Sequence, residues 1–184
     1  MNPFALLGLE LHYDLDLKAA EQKYLALARA LHPDRYAQSS PSHRKAALEH
    51  AMKVNEAWQI VRDPIRRAEA LFEVFGVLID EEKEPEPEVL MEMMEWREGL
   101  TTIQAQGDMG GLRLLSCQVK EEKARLEGEI AAGFASAQGQ SEKLKAFVPK
   151  LGQSRYIRRI AEDIELFEKN LSSSKINYGS ARNF

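Results

Sequence analysis

Four histidines, one cysteine and a carboxylate close to one of the histidines are the side chains of this chain whose chemistry most needs explaining. In Leu31-His32-Pro33-Asp34-Arg35 an imidazole and a carboxylate flank a proline. That spacing suits a fragment of an acid–base or metal site, a solvated loop, or a docking element read by another protein. The remaining histidines, His12, His43 and His50, make no HxxxH or HExxH pattern. His43 and His50 fall two turns apart on one expected helix, as surface side chains. Cys117, between Ser116 and Gln118, is the single cysteine, so neither an internal disulfide nor a cysteine metal site is available to it. Without convergent nucleophile, base and ligand groups, the expectation is a protein that is not an enzyme and holds no cofactor or metal.

The elements that must position His32 and Asp34 are legible on both sides. Proline disfavours the α conformation for the residue before it, so a helix running toward Leu31 should end near His32 and present both side chains on a tight turn. Upstream, Leu17, Ala20, Tyr24, Leu27 and Leu31 recur at steps of three and four with Asp16 as N-cap. Downstream, Ala47, Ala51, Val54, Trp58 and Val61 repeat that spacing, with Pro41 in the first turn. Two helices facing each other across the turn would bury both stripes. A short apolar leader helix closed by Gly8 precedes them. A further amphipathic helix with Ala68, Leu71, Phe72 and Phe75, stopped by Gly76, follows Asp63-Pro64.

The hairpin, the leader Asn2-Pro3-Phe4-Ala5-Leu6-Leu7-Gly8-Leu9 and the stretch from Asn55-Glu56-Ala57-Trp58 to Asp63-Pro64 together resemble the J domain, the DnaJ-like module that stimulates the ATPase of DnaK-type chaperones. The resemblance implies that His32, Pro33 and Asp34 engage the chaperone. It also implies that a basic face, here formed by Lys18, Lys23, Arg29 and Arg35, meets an acidic surface on that partner.

At 184 residues, 44% of them hydrophobic and 29% charged, the chain can hold one sizeable core or two small ones. A formal charge of −4 argues against nucleic-acid binding, which needs a concentrated basic surface. No apolar run approaches membrane-spanning length, and Met1-Asn2-Pro3-Phe4 leads directly into the domain pattern without a signal or transit segment. The expected compartment is the cytoplasm. Residues 1–76 carry ten basic and ten acidic side chains and are neutral, so the rest of the chain carries the whole deficit. The acidic, proline-containing run 77–88 reads as a linker.

From Val89 the pattern is helical again, as a three-helix module over 89–171. Val89, Met93, Trp96, Leu100 and Ile103 form the first core stripe, ended by Gly107. Beside it, Leu90, Met91 and Met94 add a second apolar row next to Glu95, Glu98 and Thr102, more than one buried face requires; exposed methionines suit an adaptable binding surface. A second helix from Asp108 to Ala137 would point Leu112, Leu115, Val119, Leu126, Ile130 and Phe134 inward, with Gly139 as its stop. A third, from Ser141 to Leu171, is interrupted at Pro149 and Gly152. Residues 172–184 are Ser-rich, without periodicity, and are expected to be a disordered tail.

An N-terminal J domain, an acidic linker and an all-helical C-terminal module are the layout of the HscB family, co-chaperones of iron–sulfur cluster assembly, which this chain resembles over nearly its whole length. Beyond the His-Pro-Asp turn, the likeness rests on Val54-Asn55-Glu56-Ala57-Trp58, Arg66-Arg67-Ala68-Glu69 and Leu90-Met91-Glu92-Met93-Met94-Glu95-Trp96-Arg97-Glu98. It implies an all-α fold and two partners, a DnaK-like ATPase of the HscA type and the scaffold protein IscU. The matching scaffold-binding positions are Leu90, Met91, Met94, Glu95 and Glu98, with Tyr156 on the last helix as an aromatic contact. Thr102 and the stretch Pro149-Lys150-Leu151-Gly152 depart from the family pattern, and the cysteine zinc module of some eukaryotic relatives is missing. The rival reading, a general J protein delivering unfolded clients to DnaK, would bring a Gly/Phe-rich linker or a cysteine-rich module, and neither is present.

Overall fold

The computed structural model describes residues 2–79 and 87–180, the last ten of these for the backbone alone. Among the described residues the regular structure is entirely helical: α1 (Pro3–Leu6), α2 (Leu17–Ala30), a 3-10 turn (Pro33–Tyr36), α3 (Pro41–Arg62), α4 (Pro64–Val74), α5 (Pro87–Gln106), α6 (Met109–Ala137), α7 (Ser141–Lys145) and α8 (Val148–Ser180). Asn2, Asp16, Ser40 and Asp63 accept bonds from first-turn backbone N–H groups of α1 to α4. Asp108 does the same for Gly110 and Gly111 at the start of α6. These short acceptors satisfy donors that a helix leaves unpaired. Gly8, Gly76, Gly107 and Gly139, the expected helix stops, all have positive φ, which glycine adopts without strain.

Two compact units emerge. The first gathers Met1–Asp80 and Ile130–Val148, the second Glu81–Glu129 and Pro149–Phe184. The stretch 130–148, expected within the C-terminal module, packs in the first unit instead. The reason is aromatic. The Phe134 ring lies 5.6 Å from Tyr13 in a stacked arrangement and 4.9 Å from Phe72. Gly133 allows this segment to fold tightly, because a Cβ there would come within 2.6 Å of the Phe147 ring. The apolar spacing of α6 continues unbroken through Ile130 and Phe134, so periodicity alone cannot reveal the change of environment.

Within the first unit α3 is the spine on which α1, α2, the 3-10 turn and α4 all pack. Ala47, Val54, Trp58 and Val61 are buried as their spacing predicts, and so are Ala68, Leu71 and Phe72 of α4. The stripe of α2 closes only in part. Ala20 is buried and Tyr24 stacks on Trp58 at 5.2 Å, but Leu17 is exposed while Leu27 and Leu31 are half-buried. Arg67 is buried, its guanidinium 4.9 Å over the Tyr13 ring, a cation–π contact that suits a desolvated arginine.

The second unit is a three-helix bundle of α5, α6 up to Glu129, and α8. Its core holds Leu100 of α5, Leu112, Leu115, Val119 and Leu126 of α6, and Ile157, Ile160 and Ile164 of α8, with Trp96, Ile103 and Phe167 partly buried against them. At one edge Arg125 pairs with Glu122 and Glu129, and Glu129 with Lys150 on α8. The bond from Lys150, reinforced by Arg125, holds the Glu129 carboxyl below the usual carboxylate range.

The expected single helix from Ser141 is two. The chain breaks at Ala146-Phe147, and Pro149 falls in the first turn of α8, where its missing N–H is not needed. Gly152 lies inside that helix without interrupting it. The backbone of α8 runs on to Ser180, past the point where the tail was expected to begin, since no proline stops it and a nucleated helix propagates easily. Residues 80–86 of the linker and residues 181–184 lie outside the described residues.

Candidate functional site

Leu31 caps the end of α2, and His32 opens the 3-10 turn. Its Nδ1 accepts from the backbone N–H of Asp34 at 3.4 Å, and the Arg35 N–H donates to the His32 carbonyl at 3.0 Å. The Asp34 carboxylate approaches the same Nδ1 at 3.5 Å. Beyond the turn, the Tyr36 hydroxyl donates to the carbonyl of Ala30 at 3.4 Å and ties the turn back to the end of α2. His32, Pro33, Asp34 and Arg35 are all exposed, as the sequence predicts. Among the described residues, no three His, Cys, Asp or Glu side chains gather as metal ligands. What this arrangement offers is a preset pattern of donors and acceptors for another surface.

Lys18, Lys23 and Arg29 are exposed on α2, with Lys18 about 16 Å from Arg29 at a rise of about 1.5 Å per residue. Lys23 is partly committed elsewhere, because its ammonium donates to the Gly8 carbonyl at 2.7 Å, just past the end of α1. Lys18, Arg29 and Arg35 form no ion pair among the described residues. The turn and three α2 cations thus lie on one hairpin, with Lys23 doing structural work that its sequence context does not disclose.

On α5 the two rows separate as expected. Met93 and Leu100 are buried, while Leu90, Met91 and Met94 are 45%, 63% and 64% exposed. Glu95 and Glu98 are exposed beside them. Tyr156 stands apart from this set. Its hydroxyl donates to the carbonyl of Met93, its ring packs against the bundle core, and burial pushes its phenol pKa up. Tyr156 therefore braces the inner side of α5 behind the exposed row. The Tyr13, Arg67 and Phe134 cluster is a structural site that sequence reasoning missed, since Arg67 reads as an ordinary helix-surface charge and Tyr13 as loop.

Residues 85–165 match the family described as the HSCB C-terminal oligomerisation domain. The co-chaperone protein HscB homolog of Mannheimia succiniciproducens is 32% identical over 93% of this chain and 98% of its own length. The chain belongs to the HscB family of co-chaperones. The HscB homolog of Haemophilus ducreyi is 33% identical, over 92% of this chain and 97% of its own. The solved chaperone HscB from Vibrio cholerae superposes with a TM-score of 0.80 at 30% identity, covering 93% of this chain and 99% of that one. Human co-chaperone HscB, at 24% identity, shares the fold with a TM-score of 0.80 over 91% of this chain and 82% of its own. The HscB architecture, a J domain followed by a helical bundle, is thus the fold of this chain. No helix among the described residues is long and apolar enough to cross a membrane.

Proposed function

We propose that this chain is an adaptor of iron–sulfur cluster assembly that works in the cytoplasm and carries no catalytic chemistry of its own. The first unit engages a DnaK-like ATPase of the HscA type through His32, Pro33, Asp34 and Arg35, aided by Lys18, Lys23 and Arg29, and biases it toward hydrolysis. The second unit holds the scaffold IscU on Leu90, Met91 and Met94, with Glu95 and Glu98 at the rim. Holding both partners on one chain raises their effective concentration toward each other, so hydrolysis traps the scaffold and promotes cluster transfer.

The observation that carries this reading is the exposed row on α5. Three large apolar side chains stay in solvent on a helix whose opposite side fills a core, next to carboxylates with no ion pair among the described residues. A partner apolar at its centre and basic at its rim fits that surface. Apolar anchors dominate affinity while rim charges mainly steer association.

Calorimetric titration with purified IscU tests the reading. Leu90→Ala with Met94→Ala should weaken binding by more than about 2 kcal/mol, and Glu95→Ala or Glu98→Ala by less. In the ATPase assay, His32→Gln should abolish stimulation of the chaperone, whereas the Leu90/Met94 double variant should retain the stimulation the protein gives without scaffold. Wild-type IscU affinity in a folded double variant would remove the scaffold role from α5 and favour the reading of a general J protein delivering unfolded clients to DnaK.

A further inference from the structure

Beside the exposed row of α5, within the second unit, a groove of about 340 Å³ opens between α5 and α8. Arg97, Thr101 and Gln104 form one wall, and Asp163, Leu166 and Phe167 the other. Leu166 is 58% exposed although it adjoins the partly buried Phe167. The Thr101 hydroxyl is taken up by its own helix, donating to the Arg97 carbonyl at 2.9 Å. Arg97 is the one cation of α5, and Asp163 lies across the groove from it. Neither makes an ion pair among the described residues, so the groove holds an apolar patch between two charges of opposite sign whose hydrogen-bonding groups are free to meet a partner.

Leu90, Met94, Arg97, Thr101 and Gln104 follow one another at steps of four, three, four and three, and therefore share one face of α5. The groove continues the exposed row. Size gives the second reason to join them: a specific complex covers about 800 Å² per partner, far more than three side chains present. A protein seated on Leu90 and Met94 must cover adjoining surface, and this is the adjoining surface with an exposed apolar side chain and a concave shape. We infer that the scaffold partner extends from the Leu90–Met94 row into this groove. There it places a polypeptide segment with an aliphatic side chain against Leu166 and Phe167, a carboxylate or carbonyl toward Arg97 and a cation toward Asp163. The inference rests on the scaffold-binding reading above and names the second half of its footprint.

Titration of purified IscU into the full chain tests it, with three surface variants in parallel. Leu166→Asp should weaken binding about tenfold, as expected for a contact near the centre of an interface. Leu114→Asp, at a 69% exposed leucine on α6 away from the groove, should change affinity by less than about twofold. Asp163→Lys should weaken binding most at low salt, because a charge facing a cation loses its effect as ionic strength rises. Thermal melts of all three should match the parent. If Leu166→Asp binds like the parent while Leu90→Ala with Met94→Ala does not, the groove is outside the footprint and this inference falls alone. If both sets bind like the parent, the α5 reading falls with it. If Leu166→Asp instead abolishes self-association seen by sedimentation and leaves IscU affinity unchanged, the groove is a contact between two copies of this chain, and the inference is overturned.

Discussion

The turn from His32 to Arg35 joins α2 to α3 with all four of its side chains exposed, whereas the Leu90–Met94 row is the outer half of a helix whose inner half, Met93 and Leu100, is core. In the first unit the groups proposed to dock are exposed and separate from the packing, so their replacement should cost the fold little. In the second, neighbouring positions of one helix alternate between exposed row and core. Met93 and Met94 are adjacent in sequence, yet one is buried and the other exposed. A turn can thus be tuned group by group, while a helix face must be tuned with its register held, and the Tyr156 bond to the Met93 carbonyl supplies that hold.

The largest test of this contrast is Trp58→Ala. Trp58 is buried and stacked on Tyr24, so its loss should cost about 3–5 kcal/mol by leaving a cavity. Trp96, only partly buried, should cost about half as much when replaced by Ala. Chemical denaturation of each variant measures both, and equal losses would mean that the two cores close over their tryptophans alike.

Phe134→Ala comes next, at about 2–3 kcal/mol for a half-buried ring in an aromatic cluster. The near-ultraviolet circular dichroism of Tyr13 and its neighbours should change with it. A fragment 1–79 should melt below the first unit of the full chain, because it lacks 130–148; an equal midpoint would show that the segment adds nothing to that core.

Glu129→Gln should cost less than about 1 kcal/mol, since the ion pairs around it are partly exposed. The pH dependence carries the sign. A carboxyl held below its ordinary value stabilises the fold above that value and loses the contribution as pH falls through the lowered one. Parent and variant should therefore differ in midpoint at neutral pH and converge in acid. A gap that stays constant into strong acid would separate the effect from ionisation.

The smallest stability effect belongs to the turn. His32→Gln and Asp34→Asn should each shift stability by no more than about 0.5 kcal/mol, as exposed positions do. Equilibrium unfolding that revealed a larger loss would mean that the turn supports the hairpin, and the two regions would no longer differ in kind.

Much of this architecture was legible because it is local. Asp16, Ser40-Pro41, Asp63-Pro64 and the four stopping glycines mark helix ends through short-range chemistry, and the two rows of α5 follow from a period of 3.6 residues. What could not be read depends on partners distant in sequence. Phe134 extends an unbroken stripe, and nothing within α6 says that Tyr13 and Phe72 receive it. Lys23 carries the charge expected of a docking face, and only the folded leader brings the Gly8 carbonyl to it. Of the candidate site, the turn and the exposed row were visible in the chain, while the supporting place of Tyr156 required the opposite helix.

The amide and the carboxylate of Asp34 both lie against Nδ1 of His32. Nε2 is the ring nitrogen that bonds to nothing within the turn, so it is the edge of the imidazole left for an arriving protein. The turn itself, rather than that protein, thereby fixes which nitrogen the hairpin tip offers. The tip has a direction of its own, imidazole edge first and carboxylate after it, and a docking surface must meet the two in that order.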